Sequence, residues 1–503
     1  MKRSIQILFL TLLALILLLF IKDWQKWVLG TLNVGLSLTV ILIGIVIFLE
    51  NRQPSKTISW LMVLALFPIV GFILYIAFGQ SYRKRRLFRK RTFLEDQQFN
   101  DIAASSREIN QDKRQLMGDH QQTLIHLAEE MGQYPVSFGT ETKVLTNGKQ
   151  TFKEILQEIK KAKHHIHLEY YIVRNDEIGN LLKDLLIEKA KQGVEVRFLY
   201  DAVGSWMLKK KYVRELNKAG VETVPFFPVS LPIINHRMNF RNHRKIVVID
   251  GNVGFMGGLN IGDEYLGKNP TFGFWRDTHL LVRGEAVRSL QTIFLQDWYI
   301  MTGEAKTDSV YFDVKPVEGA HHGACQMVAS SPYSEWEVIK SLFFSMIVSA
   351  KRSIWVASPY LIPDDDILSA LKIAALSGID VKILVPFRPD KRIVFYASHS
   401  YFPDLLEAGV KIYEYRDGFM HSKVIIVDHE LASIGTSNMD MRSFHLNFEV
   451  NAFLYRTDST IQLVADFIND LERATEIDYE SFKKRPIITR VVESTSRLLS
   501  PLL

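Results

Sequence analysis

Two short stretches of this chain carry residues whose types and intervals suit phosphoryl chemistry. The first holds His243 and Lys245, then Asp250, then Gly257, Gly258 and Asn260. The second holds His421 and Lys423, then Asp428, then Gly435, Thr436 and Asn438, at the same intervals. A lysine beside a histidine supplies fixed positive charge for a phosphate oxygen. An asparagine and a glycine-rich turn add hydrogen-bond donors, and together these stabilise the negative charge of a phosphoryl transition state. Histidine titrates near neutrality, so it can attack phosphorus or donate a proton. One such set lacks a partner. Two sets facing each other give one nucleophile and one general acid, which is a reason for the duplication.

The elements that position these residues also come twice. Residues 151–163 read as a helix, 165–173 as a strand, 179–192 as a helix and 194–200 as a strand. The same order returns at 335–351, 353–361, 364–377 and 379–386. Amphipathic helices alternating with β-branched runs predict an α/β fold with a central sheet. The copies lie 185 residues apart, Gly193 to Gly378, which means two similar domains and not a solenoid. Residues 245–250 and 423–428 read as strands, and alternation puts His243 with Lys245, and His421 with Lys423, on one face.

Composition sets the surroundings. Apolar residues make up 47% of the 503, but the first 80 are almost all apolar. Residues 5–21, 28–49 and 58–78 are uncharged runs, and the latter two reach the roughly 20 residues of a membrane span. The first is short and reads as a short span or an in-plane anchor. The polar connection Glu50–Thr57 makes the other two a helical hairpin, with Pro68 and Gly71 as sites for a kink. Seven basic residues between Arg83 and Arg91 follow with no acid among them. That places the rest of the chain in the cytoplasm and offers a surface for anionic lipid. The net charge of +6 also suits nucleic acid, but a basic cluster beside a span argues for the membrane. Residues 95–135 read as a polar helical linker. The single cysteine, Cys325, excludes an internal disulfide and reads as a small core residue.

The double pattern resembles the signature of the phospholipase D superfamily, His-x-Lys-x4-Asp followed by a Gly-Ser/Thr/Gly-x-Asn turn. The longer stretches 167–176, 239–267, 274–284, 357–368 and 418–428, with the hairpin connection 50–60, resemble bacterial cardiolipin synthases in particular. The resemblance covers nearly the whole chain. It implies a membrane region over 1–80, a basic juxtamembrane and linker segment over 81–135, and two phospholipase D-type αβα sandwich domains with mixed sheets, 136–318 and 319–503. It implies phosphatidyl transfer between two phosphatidylglycerol molecules at the bacterial cell membrane, with glycerol released and no metal or other cofactor needed.

The two histidine sets are equivalent as residues. The family assigns the nucleophile to the first copy, hence His243, with His421 as the acid. Lys245, Lys423, Asn260 and Asn438 would hold phosphate oxygens. The family also carries a carboxylate about thirty residues after each histidine that orients its ring. By position these are Asp277 for His243 and Glu449 for His421. Asp250 and Asp428 belong to the motif, with shaping the site as their expected part. His167, Glu169, Tyr170 and Tyr171, and Pro359 and Tyr360 in the second copy, are candidates to line the head-group pocket.

Overall fold

The computed structural model describes residues 54–67, 111–115, 117–228, 239–314 and 323–502, together with residues 41, 44, 45, 48, 71 and 317. The first expected span, most of the second, most of the end of the third and the basic cluster lie outside the described residues. Within the third, Pro54–Leu66 is a helix, and no described helix is long and apolar enough to cross a membrane. The chain divides into two compact units. One is residues 1–87 with 233–236; the other, 88–232 with 237–503, holds both copies of the repeat.

The repeat is realised as two mixed sheets with the same core of seven strands. Across the first, the order is Thr140–Thr146, Thr278–Gly284, Val253–Gly257, Ile246–Ile249, His165–Tyr170, Glu195–Asp201 and Glu222–Phe226. The last three run parallel, and the hairpin arm is antiparallel. The second repeats this with Ala324–Ser330, Glu449–Tyr455, Leu431–Gly435, Val424–Val427, Ser353–Ala357, Asp380–Pro386 and Lys411–Tyr415. Register is kept as well. Ile166 faces Ile249, and Ile354 faces Val427, each one residue before the motif aspartate.

Helices close the outer faces. Asn147–Lys161 and Glu177–Lys191 cover the first sheet; Val338–Ser349 and Asp365–Leu376 cover the second. Each crossover helix starts at an aspartate whose side chain caps it, Asp176 for Gly179 N and Asp364 for Ile367 N. The inner faces share one apolar layer. Val248, Met256 and Leu280 of the first sheet join Met327, Ile426 and Val450 of the second, with Leu290 and Phe467 from the helices Ala286–Thr302 and Asp458–Leu471. Cys325 is buried in this layer. The inner faces of the two copies and these two helices therefore close on one another.

Two assignments from the sequence change. Part of the expected linker is the helix Asp119–Gly132, whose Leu124, Ile125 and Ala128 lie in the core of the second copy. Its apolar residues are few but fall on one face, and tertiary packing uses them. Val136–Ser137, expected to open the first domain, is an edge strand of the second sheet.

Candidate active site

Each His-x-Lys segment runs into the site just before its strand begins. His243 N donates to Phe448 O at 2.9 Å, beside a bridge between Asn242 and Phe448. His421 N donates to Arg276 O at 2.7 Å, at the end of the parallel pairing of Gly418–Met420 with Phe274–Arg276. The histidine of each copy thus hangs on the segment that precedes the carboxylate of the other copy.

The consequence is a crossed pairing. His243 Nδ1 lies 3.0 Å from both carboxylate oxygens of Glu449. His421 Nδ1 lies 2.6 Å from Asp277 Oδ2. The sequence reading had paired each carboxylate with the histidine of its own copy. The spacing along the chain was right for both carboxylates, but the two-fold arrangement of the copies exchanges them. Both carboxylates are fully buried, and each is held by the residue two places before it. Trp275 Nε1 donates to Asp277 at 3.3 Å, and Asn447 Nδ2 donates to Glu449 at 3.0 Å.

The lysines sit against the same groups. Lys245 Nζ donates to His243 O and Lys423 Nζ to His421 O, each at 2.5 Å. Burial pushes Lys245 down to about 7 and Lys423 to about 8, against the pull of the carboxylates. Burial also pushes both histidines down to about 4. It pulls Glu449 and Asp277 upward, but the neighbouring histidines and lysines outweigh it, and both stay below the ordinary carboxylate range. The unliganded site thus holds two neutral rings that give their Nδ1 protons to ionised carboxylates. Each Nε2 is left with a lone pair.

The glycine-rich turns serve this geometry. A Cβ on Gly258 would stand 2.0 Å from Asp277 Oδ1, so only glycine lets the turn lie on that carboxylate. Gly257 has φ +153° and would strike His279 and Thr278 with a side chain. On the other side a Cβ at Gly435 would meet Asn451, and Thr436 Oγ1 accepts from Val450 N at 2.9 Å. Asn260 is committed to the loop around it, accepting from Ile172 N at 3.0 Å and donating to Tyr265 at 3.2 Å. Asn438 is buried, and its Oδ1 has no hydrogen-bond partner among the described residues.

Asp250 and Asp428 lie elsewhere. Each closes the far end of its strand, five residues past the lysine, which is roughly 16 Å of extended chain. Asp250 accepts from the backbone N–H of Lys163, His164 and His165 at 2.8–2.9 Å. Asp428 accepts from Lys351, Arg352 and Ser353 at 2.7–2.9 Å. Both have positive φ, +51° and +54°. Although they are part of the motif, they fasten the start of the neighbouring strand and touch no reacting group.

Of the pocket candidates, Tyr171 reaches the site, with its ring edge-on to His243 at 5.0 Å and under Lys245 Nζ at 5.5 Å. Tyr360 donates to Asp390 at 2.5 Å. His167, Glu169 and Tyr170 are engaged elsewhere. Tyr170 is core, His167 stacks on Phe294, and Glu169 is buried under Asn242 beside Asp297.

Sequence reasoning missed two arginines. Arg244 ion-pairs with Asp297 and donates to Glu449 O at 3.1 Å and Ser330 O at 3.0 Å. Arg276 pairs with Asp470 at 2.8 Å and donates to Asp277 O at 2.7 Å. Each guanidinium thus pins the backbone of an orienting carboxylate. Their signal was available: they stand inside or beside the motifs, at positions that are Ser422 and Phe448 in the other copy. Among the described residues, no group of three His, Cys, Asp or Glu could hold a metal ion.

A shared site made of two histidines, each backed by a carboxylate and a lysine, in paired mixed sheets defines a two-copy phospholipase D-like protein. The family model described as cardiolipin synthase, phospholipase D-like domain, matches residues 155–298 and 343–471, and a phospholipase D-nuclease N-terminal model matches 37–80. The chain is 64% identical over 479 residues to the cardiolipin synthase of Alkalihalophilus pseudofirmus, covering 95% of each chain. It is 62% identical over the full length of both chains to the cardiolipin synthase of Halalkalibacterium halodurans. The fold is shared with a phosphatidylserine synthase structure from Haemophilus influenzae, at a TM-score of 0.57 and 14% identity over 76% of this chain and all of that one. The chain belongs to the cardiolipin synthase family and is a phosphatidyltransferase of the phospholipase D superfamily.

Proposed function

We propose that this site joins two phosphatidylglycerol molecules into cardiolipin and glycerol through a phosphohistidine on His243. The observation that carries the reading is the pair of Nε2 lone pairs, each backed at Nδ1 by a carboxylate from the opposite copy. His243 Nε2 attacks phosphorus and the bond to the glycerol oxygen breaks. The departing oxygen takes a proton from His421 Nε2. The hydroxyl of the second phosphatidylglycerol then attacks the phosphohistidine, gives its proton back to His421, and His243 leaves as a neutral ring.

Charge balance explains how His421 obtains its proton. With both lysines protonated, as a bound anion demands, their charges cancel those of the two carboxylates. An anionic phosphodiester brings one uncompensated negative charge into a buried place, which favours protonation of a histidine. Lys245 and Lys423 take the non-bridging oxygens, and the transition-state charge falls on them.

The setting supports a lipid acceptor over water. The apolar runs 28–49 and 58–78 as spans, with the basic residues 83–91 on the cytoplasmic side, hold the catalytic unit at the inner face of the cell membrane. The run 5–21 adds a short span or an in-plane anchor. There both substrates are concentrated in two dimensions, which raises the effective concentration of the lipid hydroxyl. The test is stoichiometry. Purified enzyme with phosphatidylglycerol releases one glycerol per cardiolipin formed. Phosphatidic acid in place of cardiolipin would mean that water is the acceptor and that the reading is wrong.

A further inference from the structure

The helix Ile487–Arg497 is turned inside out. Its inward side is polar. Glu493 is buried and ion-paired with Arg485 at 2.7 Å, Arg497 donates to Ser400 O at 3.2 Å and lies 4.2 Å over the Tyr401 ring, and Ser500, just past the helix, meets Tyr401 Oη at 3.1 Å. Its outward side is apolar. Ile487 is 74% exposed, Ile488 75%, Val491 59% and Leu498, just beyond, 80%. A helix in water buries its apolar stripe and exposes its polar face. Here the polar face is satisfied within the fold, so the exposed stripe is available to something apolar.

Charge says what that is. Residues 483–502 contain five basic residues and one acid, Glu493, which is buried against Arg485. Lys483, Lys484 and Arg490 are exposed beside the stripe. An apolar stripe flanked by cations fits the headgroup layer of an anionic bilayer. A second copy of this chain would bring its own exposed Lys483, Lys484 and Arg490 against those of the first. The helix also lies close to the site. It packs on Arg392–His399, which begins two residues after Asp390, the acceptor of Tyr360 and an electrostatic neighbour of Lys423. Lys391, Arg392 and Ile393 on that rim are exposed as well.

We propose that Ile487–Arg497 lies in the plane of an anionic lipid surface and holds the mouth of the active site against it. The inference deepens the membrane reading of the proposed function and rests on it. The probe is the full chain with Ile488→Cys, labelled with an environment-sensitive fluorophore and reconstituted in phosphatidylglycerol vesicles with acyl-chain spin-labelled lipid. Cys325 is buried and stays unlabelled. Quenching at 488 is expected to exceed that of Glu472→Cys, an exposed control, by about fivefold, since an in-plane helix sits at the acyl boundary. Equal quenching at both positions, or disulfide linkage between 488 positions of two copies without quenching, overturns the proposal.

Activity provides the second readout. Ile488→Asp with Val491→Asp is expected to lower synthesis on vesicles about tenfold while leaving turnover of dispersed short-chain phosphatidylglycerol unchanged. Equal rates with both substrates, or equal losses, overturn it. Quenching needs no turnover. A chain that made no cardiolipin would still show the helix in lipid, and an active chain with position 488 in water would refute the helix placement alone.

Discussion

At the scale of single residues, the crossed carboxylates make the sharpest demands. Glu449→Gln takes the anion from behind His243, and Asp277→Asn takes it from behind His421. Each is expected to cost about 10²–10⁴-fold in turnover, the range for losing the group that fixes a catalytic histidine's tautomer. The losses differ in kind. Glu449→Gln slows formation of the covalent intermediate by weakening its nucleophile, whereas Asp277→Asn weakens the acid of that step and the base of the second transfer. Rapid-quench kinetics separates them; the same effect of both variants on the two phases would show that the pairing does not divide the labour. The lysines predict a pH dependence. With Lys245 near 7 and Lys423 near 8 in the unliganded site, anion binding must add or retain protons there. Binding of inorganic phosphate should therefore weaken as pH rises through about 7 to 8. Calorimetry in buffers of different ionisation enthalpy should show proton uptake; affinity flat from pH 6 to 9 would refute the shifted lysines. These residues were legible in the sequence because chemistry restricts their types and spacing. Their pairing was not, because spacing along a chain does not say which copy faces which. Arg244 and Arg276 escaped for a related reason: the motif leaves open both the position between histidine and lysine and the one before the carboxylate.

At the scale of elements, the motif aspartates are fasteners. Asp250→Ala or Asp428→Ala leaves three backbone N–H groups without their acceptor, those of Lys163 and His164 exposed and the others buried or half-buried. At about 1 kcal/mol or more for each, the expected loss is about 2–4 kcal/mol. Chemical denaturation should show it, with activity retained below the transition; an unchanged midpoint would contradict the assignment. Gly258→Ala acts differently. Its Cβ collides with Asp277, so His421 loses its orienting group while the sheet survives. Activity falls far more than stability. Strands and crossover helices were readable because buried parallel strands are continuous apolar runs and each helix announces itself with an aspartate cap. The helix Asp119–Gly132 falls in the stretch expected to be helical, but its few apolar residues gave no sign that it packs into the second copy. The strand from His165 was expected to reach Val173 but ends at Tyr170. Beyond that, the chain bonds to Asn260 and Ser205, a loop interaction without a periodic signal.

At the scale of the whole molecule, the duplicated halves are one catalytic body. Both sheets bury their inner faces in the one shared apolar layer, and Val136–Ser137 ties the start of the first copy to the sheet of the second. A fragment ending at residue 318 would lack Glu449 behind His243 and expose the inner face of its sheet. It is expected to aggregate and to be inactive; a soluble, active half would contradict the shared site. The duplication and its equal register could be read from sequence, since both follow from repeated spacing. That the two copies form a single site could not, because face-to-face packing depends on which side of each sheet is left apolar.

The most direct measurement is to trap the covalent state. Enzyme given lipid-labelled phosphatidylglycerol, quenched rapidly at alkaline pH where phosphohistidine persists, and mapped by mass spectrometry should carry a phosphatidyl group on His243. Asp277→Asn should slow both the appearance and the decay of this label, and Glu449→Gln should lower its level. A label on His421, or cardiolipin formed at full rate with no labelled histidine at any quench time, would contradict the account.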